Sequence, residues 1–119
     1  EDKGEYNAEN ITVDNCTFEG IASNVIDYYR GGYDESTVGG TLSVTNSTFT
    51  NCGAKEKSGI LINTYGIINV DLSDNTFKNN RVQQVAQLWG AKNNSHSNNV
   101  ITNSGKIVVE ENLKLKTFY

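Results

Sequence analysis

One motif recurs along this chain and limits what it can fold into. Alternating apolar residues, a corner asparagine and a Thr-Phe pair appear at Ile11-Thr12-Val13-Asp14-Asn15-Cys16-Thr17-Phe18 and at Leu42-Ser43-Val44-Thr45-Asn46-Ser47-Thr48-Phe49. They return at Val70-Asp71-Leu72-Ser73-Asp74-Asn75-Thr76-Phe77, with a degenerate copy at Ser97-Asn98-Asn99-Val100-Ile101. The anchors Phe18, Phe49, Phe77 and Ile101 are 31, 28 and 24 residues apart. A unit of this length repeated at least three times signals stacking of successive copies, each covering the apolar face of the next.

The local period within each copy is two: Ile11 and Val13, Leu42 and Val44, Ile68, Val70 and Leu72 alternate with polar residues, as in a half-buried strand. Asn then marks a corner, where its tolerance of left-handed backbone angles and its short amide are useful. A second apolar run follows every anchor, at Val25-Ile26-Asp27-Tyr28-Tyr29, Gly59-Ile60-Leu61-Ile62, Val85-Ala86-Gln87-Leu88-Trp89 and Ile107-Val108-Val109. The reading is all-β: a right-handed parallel β-helix of about four coils with three short strands each. The absence of Pro agrees, since stacked strands need their N–H groups. Equivalent residues on successive coils should then form ladders, with Asn15, Asn46, Asn75 and Asn99 as an inward amide ladder and Phe18, Phe49, Phe77 and Ile101 as an inward stack. Inward amides are tolerated because stacking neighbours satisfy both donor and acceptor.

The 119 residues suffice for one domain, 1–119, with one modest core. No Met is present, and the polar stretch 1–10 offers little to cover a terminal coil, so the chain reads as the C-terminal part of a longer solenoid, closed by residues 112–119. No apolar run approaches the roughly 20 residues of a membrane-spanning helix. A net charge of -4, from ten basic and fourteen acidic residues, supplies no phosphate-neutralising field and argues against nucleic acid as a partner. Seventeen asparagines spread along the chain raise the alternative of low-complexity disorder, which the periodicity opposes. Cys16 and Cys52 read as buried thiols acting as small apolar side chains, with a single bridge between them the alternative. His96 is the sole histidine and has no Cys near it in sequence, which argues against zinc.

The segment Ile26-Asp27-Tyr28-Tyr29-Arg30-Gly31-Gly32-Tyr33-Asp34-Glu35-Ser36-Thr37-Val38-Gly39-Gly40, the Leu42–Phe49 copy after it, and Gly105-Lys106-Ile107 before a short tail resemble the C-terminal β-helical region of chondroitinase-B-type polysaccharide lyases, the family that includes alginate lyases. The resemblance runs from about Ile11 to the end, and Tyr29-Arg30-Gly31-Gly32-Tyr33-Asp34-Glu35-Ser36-Thr37 is its specific part. It implies a secreted or periplasmic enzyme that cleaves uronic-acid polysaccharides by β-elimination. A cation, calcium in well-known members, neutralises the carboxylate, a lysine removes the C5 proton and an arginine assists the leaving oxygen. The family's catalytic features are acidic calcium ligands alternating along a strand, a Lys-Ser pair, and an Arg-His-Gly turn one coil later. This chain lacks them: Lys57-Ser58 has no such turn after it, and Glu110-Glu111 point to opposite strand faces. No catalytic or metal residue is therefore assigned here, no cofactor is expected in this chain although calcium fits the parent enzyme, and the expected partners are an acidic polysaccharide and a preceding β-helix domain of the same protein.

The candidate substrate-binding residues are Arg30, Tyr28, Tyr29, Tyr33 and Trp89. Arg30 precedes Gly31-Gly32 in the longest insertion, and its fork suits a carboxylate; the alternative is that it pins its own loop to Asp27, Asp34 or Glu35. Trp89 lies among Gln83, Gln84 and Gln87, a pattern for sugar stacking, or else packs on a corner with Val85, Ala86 and Leu88. Lys78, Arg81 and Lys92 would line the Arg30 face or be simply solvated. Asn10, Asn15, Asn46 and Asn93 begin glycosylation sequons, which the inward ladder explains better for the copies within the repeat. Two other classes of function stay open beside the lyase segment: a non-catalytic carbohydrate-binding or adhesion module, and a purely structural spacer.

Overall fold

The computed structural model describes residues 10–29, 39–54 and 59–111. Twelve strands and no helix occur among them. Strands β1 (Asn10–Asp14), β2 (Thr17–Glu19) and β3 (Ile26–Tyr29) form the first repeat, and β4 (Gly39–Thr45), β5 (Thr48–Thr50) and β6 (Ile60–Tyr65) the second. The third holds β7 (Ile67–Ser73), β8 (Thr76–Lys78) and β9 (Gln84–Trp89), the fourth β10 (Asn93–Ser97), β11 (Val100–Thr102) and β12 (Lys106–Glu110). Every third strand joins the same sheet: β1-β4-β7-β10 make sheet A, β2-β5-β8-β11 sheet B and β3-β6-β9-β12 sheet C, and all pairings are parallel.

The alternation read from the sequence sets which face turns inward. In sheet A, Leu42, Val44, Val70 and Leu72 are buried, while Thr41, Ser43, Thr45, Asn69, Asp71 and Ser73 alternate with them on the partly exposed side. Phe18, Phe49, Phe77 and Ile101 share one register position in sheet B. Phe49 is stacked between Phe18 and Phe77, each ring centroid 4.9 Å away. Phe49 and Phe77 are fully buried, Phe18 is half-buried, and Ile101 is exposed at the last repeat.

Two corner columns explain the abundance of asparagine. Between sheets A and B, Asn15, Asn46, Asp74 and Asn98 have φ of 58°, 51°, 61° and 57°. Between sheets B and C, Gly20, Asn51, Asn79 and Asn103 have φ of 72°, 56°, 56° and 50°. These left-handed angles are costly for most L-residues and least so for Gly, Asn and Asp. Corner N–H groups donate to the next repeat, Asn46 to the Ser73 carbonyl at 3.2 Å and Asn79 to that of Thr102 at 3.0 Å.

The residue after each corner turns inward and carries a different ladder. Ser47 N–H donates to Asn75 Oδ1 and Asn75 N–H to Asn99 Oδ1, both at 3.0 Å, while Asn75 Nδ2 donates to the Val44 carbonyl at 2.9 Å. The second corner repeats this, with Cys52 N–H donating to Asn80 Oδ1 at 2.8 Å and Asn80 Nδ2 to the Phe49 carbonyl at 2.9 Å. The single amide ladder expected for Asn15, Asn46, Asn75 and Asn99 is thus corrected to two adjacent columns. Asn15 and Asn46 occupy the exposed left-handed corner, and Asn75 and Asn99 the inward position one residue later, level with Cys16 and Ser47. The inward-ladder explanation of the sequons at Asn15 and Asn46 falls with it, since both side chains are on the exposed corner.

Cys16 and Cys52 are free thiols at different corners, Cys16 half-buried and Cys52 buried. Gly53 (φ +99°) lies where any Cβ would overlap the carbonyl of Arg81 in the next repeat, with which it forms a parallel bridge.

Candidate functional site

Sheet C presents a face unlike the other two. Parity along β3 places Ile26 and Tyr28 on the inner side, in register with Ile62 and Thr64, Ala86 and Leu88, and Ile107 and Val109. The alternate residues form two outer rows. One runs Asp27, Asn63, Gln87 and Val108; the other runs Tyr29, Tyr65, Trp89 and Glu110.

Three consecutive repeats therefore set an aromatic ring at the same height of the same face. Ring centroids are 6.3 Å apart for Tyr29 and Tyr65 and 6.4 Å for Tyr65 and Trp89, with interplanar angles of 39° and 44°. These are tilted contacts within the favourable centroid range for aromatic pairs. Tyr29 is 59% exposed, and Tyr65 and Trp89 are half-buried.

The amide row is tied across the repeats and holds the first of the rings, Tyr29, by its hydroxyl. Asn63 Nδ2 donates to the Tyr29 hydroxyl at 2.8 Å, and Asn63 Oδ1 accepts from Gln87 Nε2 at 3.3 Å, so one side chain ties three repeats together. Asn24 bonds Asp27 Oδ1 through Nδ2 at 3.0 Å and accepts from Ile60 N–H at 3.1 Å, anchoring the exposed Asp27 to the second repeat. Side chains bonded in this way, Tyr29, Asn63, Gln87 and Asp27, lose less freedom when a ligand lies on them.

Of the expected substrate-binding residues, the structure brings Tyr29 and Trp89 together. Tyr28 is a correction: only 5% exposed, it belongs to the core because it shares the parity of Ile26. Arg30 and Tyr33 lie outside the described residues, as does Lys57-Ser58. Tyr65, which completes the row, was missed. The signal for it was an aromatic residue immediately before Gly at the end of the second apolar run, in Tyr65-Gly66 as in Trp89-Gly90. Lys78, Arg81 and Lys92 do not gather on one face: Lys78 ends β8 in sheet B, Arg81 follows the second corner, and Lys92 lies between sheets C and A.

The chemistry open to the strip is stacking on the apolar face of a ring and hydrogen bonding to hydroxyl groups. Asp27 and Glu110 sit in different rows on the first and last strands of sheet C, which are three strand spacings or about 14 Å apart, so the two residues are farther apart still. That separation exceeds the roughly 5–9.5 Å between paired carboxylates in glycoside hydrolysis. Among the described residues no three His, Cys, Asp or Glu side chains cluster as a metal site requires. A polar cleft of about 560 Å³ opens at the second corner, lined by Asn51, Gly53, Asn79, Asn80, Arg81 and Asn103. It lacks any aromatic platform. Comparison with protein-family models, with characterised proteins and with solved structures finds no match to this chain.

Proposed function

We propose that this chain is a non-catalytic glycan-binding segment of a right-handed parallel β-helix, whose ligand lies along the Tyr29–Tyr65–Trp89 row. The right-handed sense follows the rule for parallel strands joined by crossovers, here applied repeat after repeat. The observation that carries the functional reading is the ring row itself, one aromatic on each of the first three repeats, aligned by the register of three parallel strands. Beside it runs a row of amides and a carboxylate with the donors and acceptors that sugar hydroxyls need. Calorimetric titration of the chain with a panel of oligosaccharides tests the reading. Saturable binding, weakened about tenfold by Trp89→Ala and by Tyr65→Ala while the circular dichroism spectrum is kept, is the expected result. Binding to none of the panel, or binding indifferent to both substitutions, overturns it.

A second reading places the segment in a secreted or periplasmic lyase of uronic-acid polysaccharides, and it rests on the resemblance centred on residues 26–40. The partner on this reading is a preceding β-helix domain of the same protein. The catalytic lysine, arginine and calcium belong to that domain, and the segment supports or extends the substrate region. The chain alone then releases no unsaturated uronate from alginate or chondroitin, whereas the longer protein does. Release by the chain alone, or none from the longer protein, contradicts it.

A further inference from the structure

We infer that the sheet C strip is an array of three single-sugar subsites, one on each of the first three repeats, that takes an isolated chain of equatorially linked pyranoses and rejects the flat face of a crystalline glycan. The proposal rests on the glycan-binding reading, and its argument is one of register and tilt. Each of these repeats pairs an outer ring with a polar side chain two residues before it on the same strand: Asp27 with Tyr29, Asn63 with Tyr65 and Gln87 with Trp89. Residues two apart share a strand face, so each pair is one unit of a stacking surface and a hydrogen-bonding group. In the fourth repeat the equivalent positions are Val108 and Glu110, which supply neither a ring nor an amide, and the units end at Trp89. Parallel register stacks the three units directly across the strands, so a ligand that uses all of them runs across the strands as well.

The steps between rings are nearly equal, 6.3 Å from Tyr29 to Tyr65 and 6.4 Å from Tyr65 to Trp89. A step of that size is of the same order as the advance of one pyranose ring with its bridging oxygen. Equatorial linkages, as in β-linked glucose or N-acetylglucosamine, keep such a chain extended, so successive sugars meet successive rings. The ring planes are turned against each other by 39° and then by 44°. A flat crystalline face that lies parallel to one ring is therefore inclined to the next and cannot stack on two neighbours at once. An isolated chain turns about the two bonds of each bridging oxygen and follows the tilt. With a ring contact taken at the strength of an aromatic pair, each added sugar that finds a ring raises affinity about two- to tenfold.

The test titrates the whole chain with β-linked glucose and N-acetylglucosamine oligomers, from the monosaccharide to the hexasaccharide, and measures its depletion from solution by microcrystalline cellulose and crystalline chitin. The expected result is an affinity for at least one series that climbs about two- to tenfold per sugar up to the trisaccharide and then levels, with no depletion by either solid. Tyr29→Ala and, separately, Trp89→Ala each remove an end ring and move the plateau to the disaccharide, with the circular dichroism spectrum kept. A merely structural role for these rings would lower affinity at every length and leave the plateau where it was. A plateau at the monosaccharide, a climb that continues to the hexasaccharide, a plateau unmoved by both substitutions, or depletion by a crystalline solid overturns the array while leaving glycan binding in place. So does binding of other glycans with neither series bound. Failure of every glycan to bind removes the strip as a glycan site, and the array with it.

Discussion

Replacing Asn75 with Ala separates the two asparagine columns. Asn75 is 1% exposed, and its amide serves Ser47 N–H at 3.0 Å and the Val44 carbonyl at 2.9 Å, groups that are themselves buried. Truncation leaves Ser47 N–H without that acceptor and Val44 with one partner fewer. At about 1–3 kcal/mol for a buried polar group left unmade, the expected loss is about 2–4 kcal/mol, a large part of the roughly 5–15 kcal/mol that holds a domain together. Asn46→Gly is the matched control one column away. Its amide is exposed and bonds Asp14 Oδ1 at 3.0 Å, and Gly accepts the φ of 51° without steric cost, so the change should stay within about 0.5–1 kcal/mol. Urea unfolding followed by far-ultraviolet circular dichroism reads both, with an unchanged slope showing that the surface exposed on unfolding is the same. Equal costs for the two variants, or a cost below about 1 kcal/mol for Asn75→Ala, would refute the assignment of inward and corner columns.

Further outcomes follow from the same architecture. Phe49→Ala removes a fully buried ring held between two others and should cost about 3–5 kcal/mol, with half-buried Phe18→Ala costing distinctly less in the same urea experiment. Gly53→Ala drives a Cβ into the Arg81 carbonyl at φ +99° and should abolish cooperative thermal unfolding, whereas Gly20→Ala, with open space around it at φ +72°, should cost only about 1–2 kcal/mol. Hydrogen bonds from Thr45 Oγ1 and then Asn46 Nδ2 hold the Asp14 carboxyl below its ordinary range. A depressed folded-state pKa gives stability that is present above the unfolded-state pKa and lost as pH falls through the folded-state value. Asp14→Asn should therefore differ from the parent at neutral pH and converge with it in acid, as followed by melting temperature against pH; a difference that grows in acid would contradict the assignment.

The repeat was legible because its anchors are bulky and its strands alternate. Twelve strands in three parallel sheets follow from spacings of 31, 28 and 24 residues, which recur as the separations of the ladder bonds from Cys16 to Ser47, Ser47 to Asn75 and Asn75 to Asn99. The asparagine register was less legible, since two neighbouring positions favour the same residue for different reasons. One needs tolerance of a left-handed backbone, the other needs an amide that both donates and accepts, and only the sign of φ and the bonding partners distinguish them. Alignment on the letter Asn consequently slipped by one between the second and third repeats, where Asp74 takes the corner and Asn75 the ladder.

The candidate site was half legible for a related reason. Composition drew attention to Tyr28, Tyr29 and Trp89, but adjacent residues on a strand face opposite ways, and parity with Ile26 buries Tyr28 while exposing Tyr29. Tyr65 shares with Trp89 only the Gly that follows it in the chain, and its place in the row emerges when register is carried across β3, β6 and β9.

The most direct test of the glycan strip is side-chain nuclear magnetic resonance of the chain titrated with a neutral β-linked oligosaccharide. The account predicts that the Trp89 indole N–H and the ring signals of Tyr29 and Tyr65 shift together along one binding curve, with the Asn63 and Gln87 amides following. Shifts confined to the Asn51, Asn79, Arg81 and Asn103 cleft, or to the hydroxyl-bearing face of sheet A, with the three rings unchanged, would contradict it.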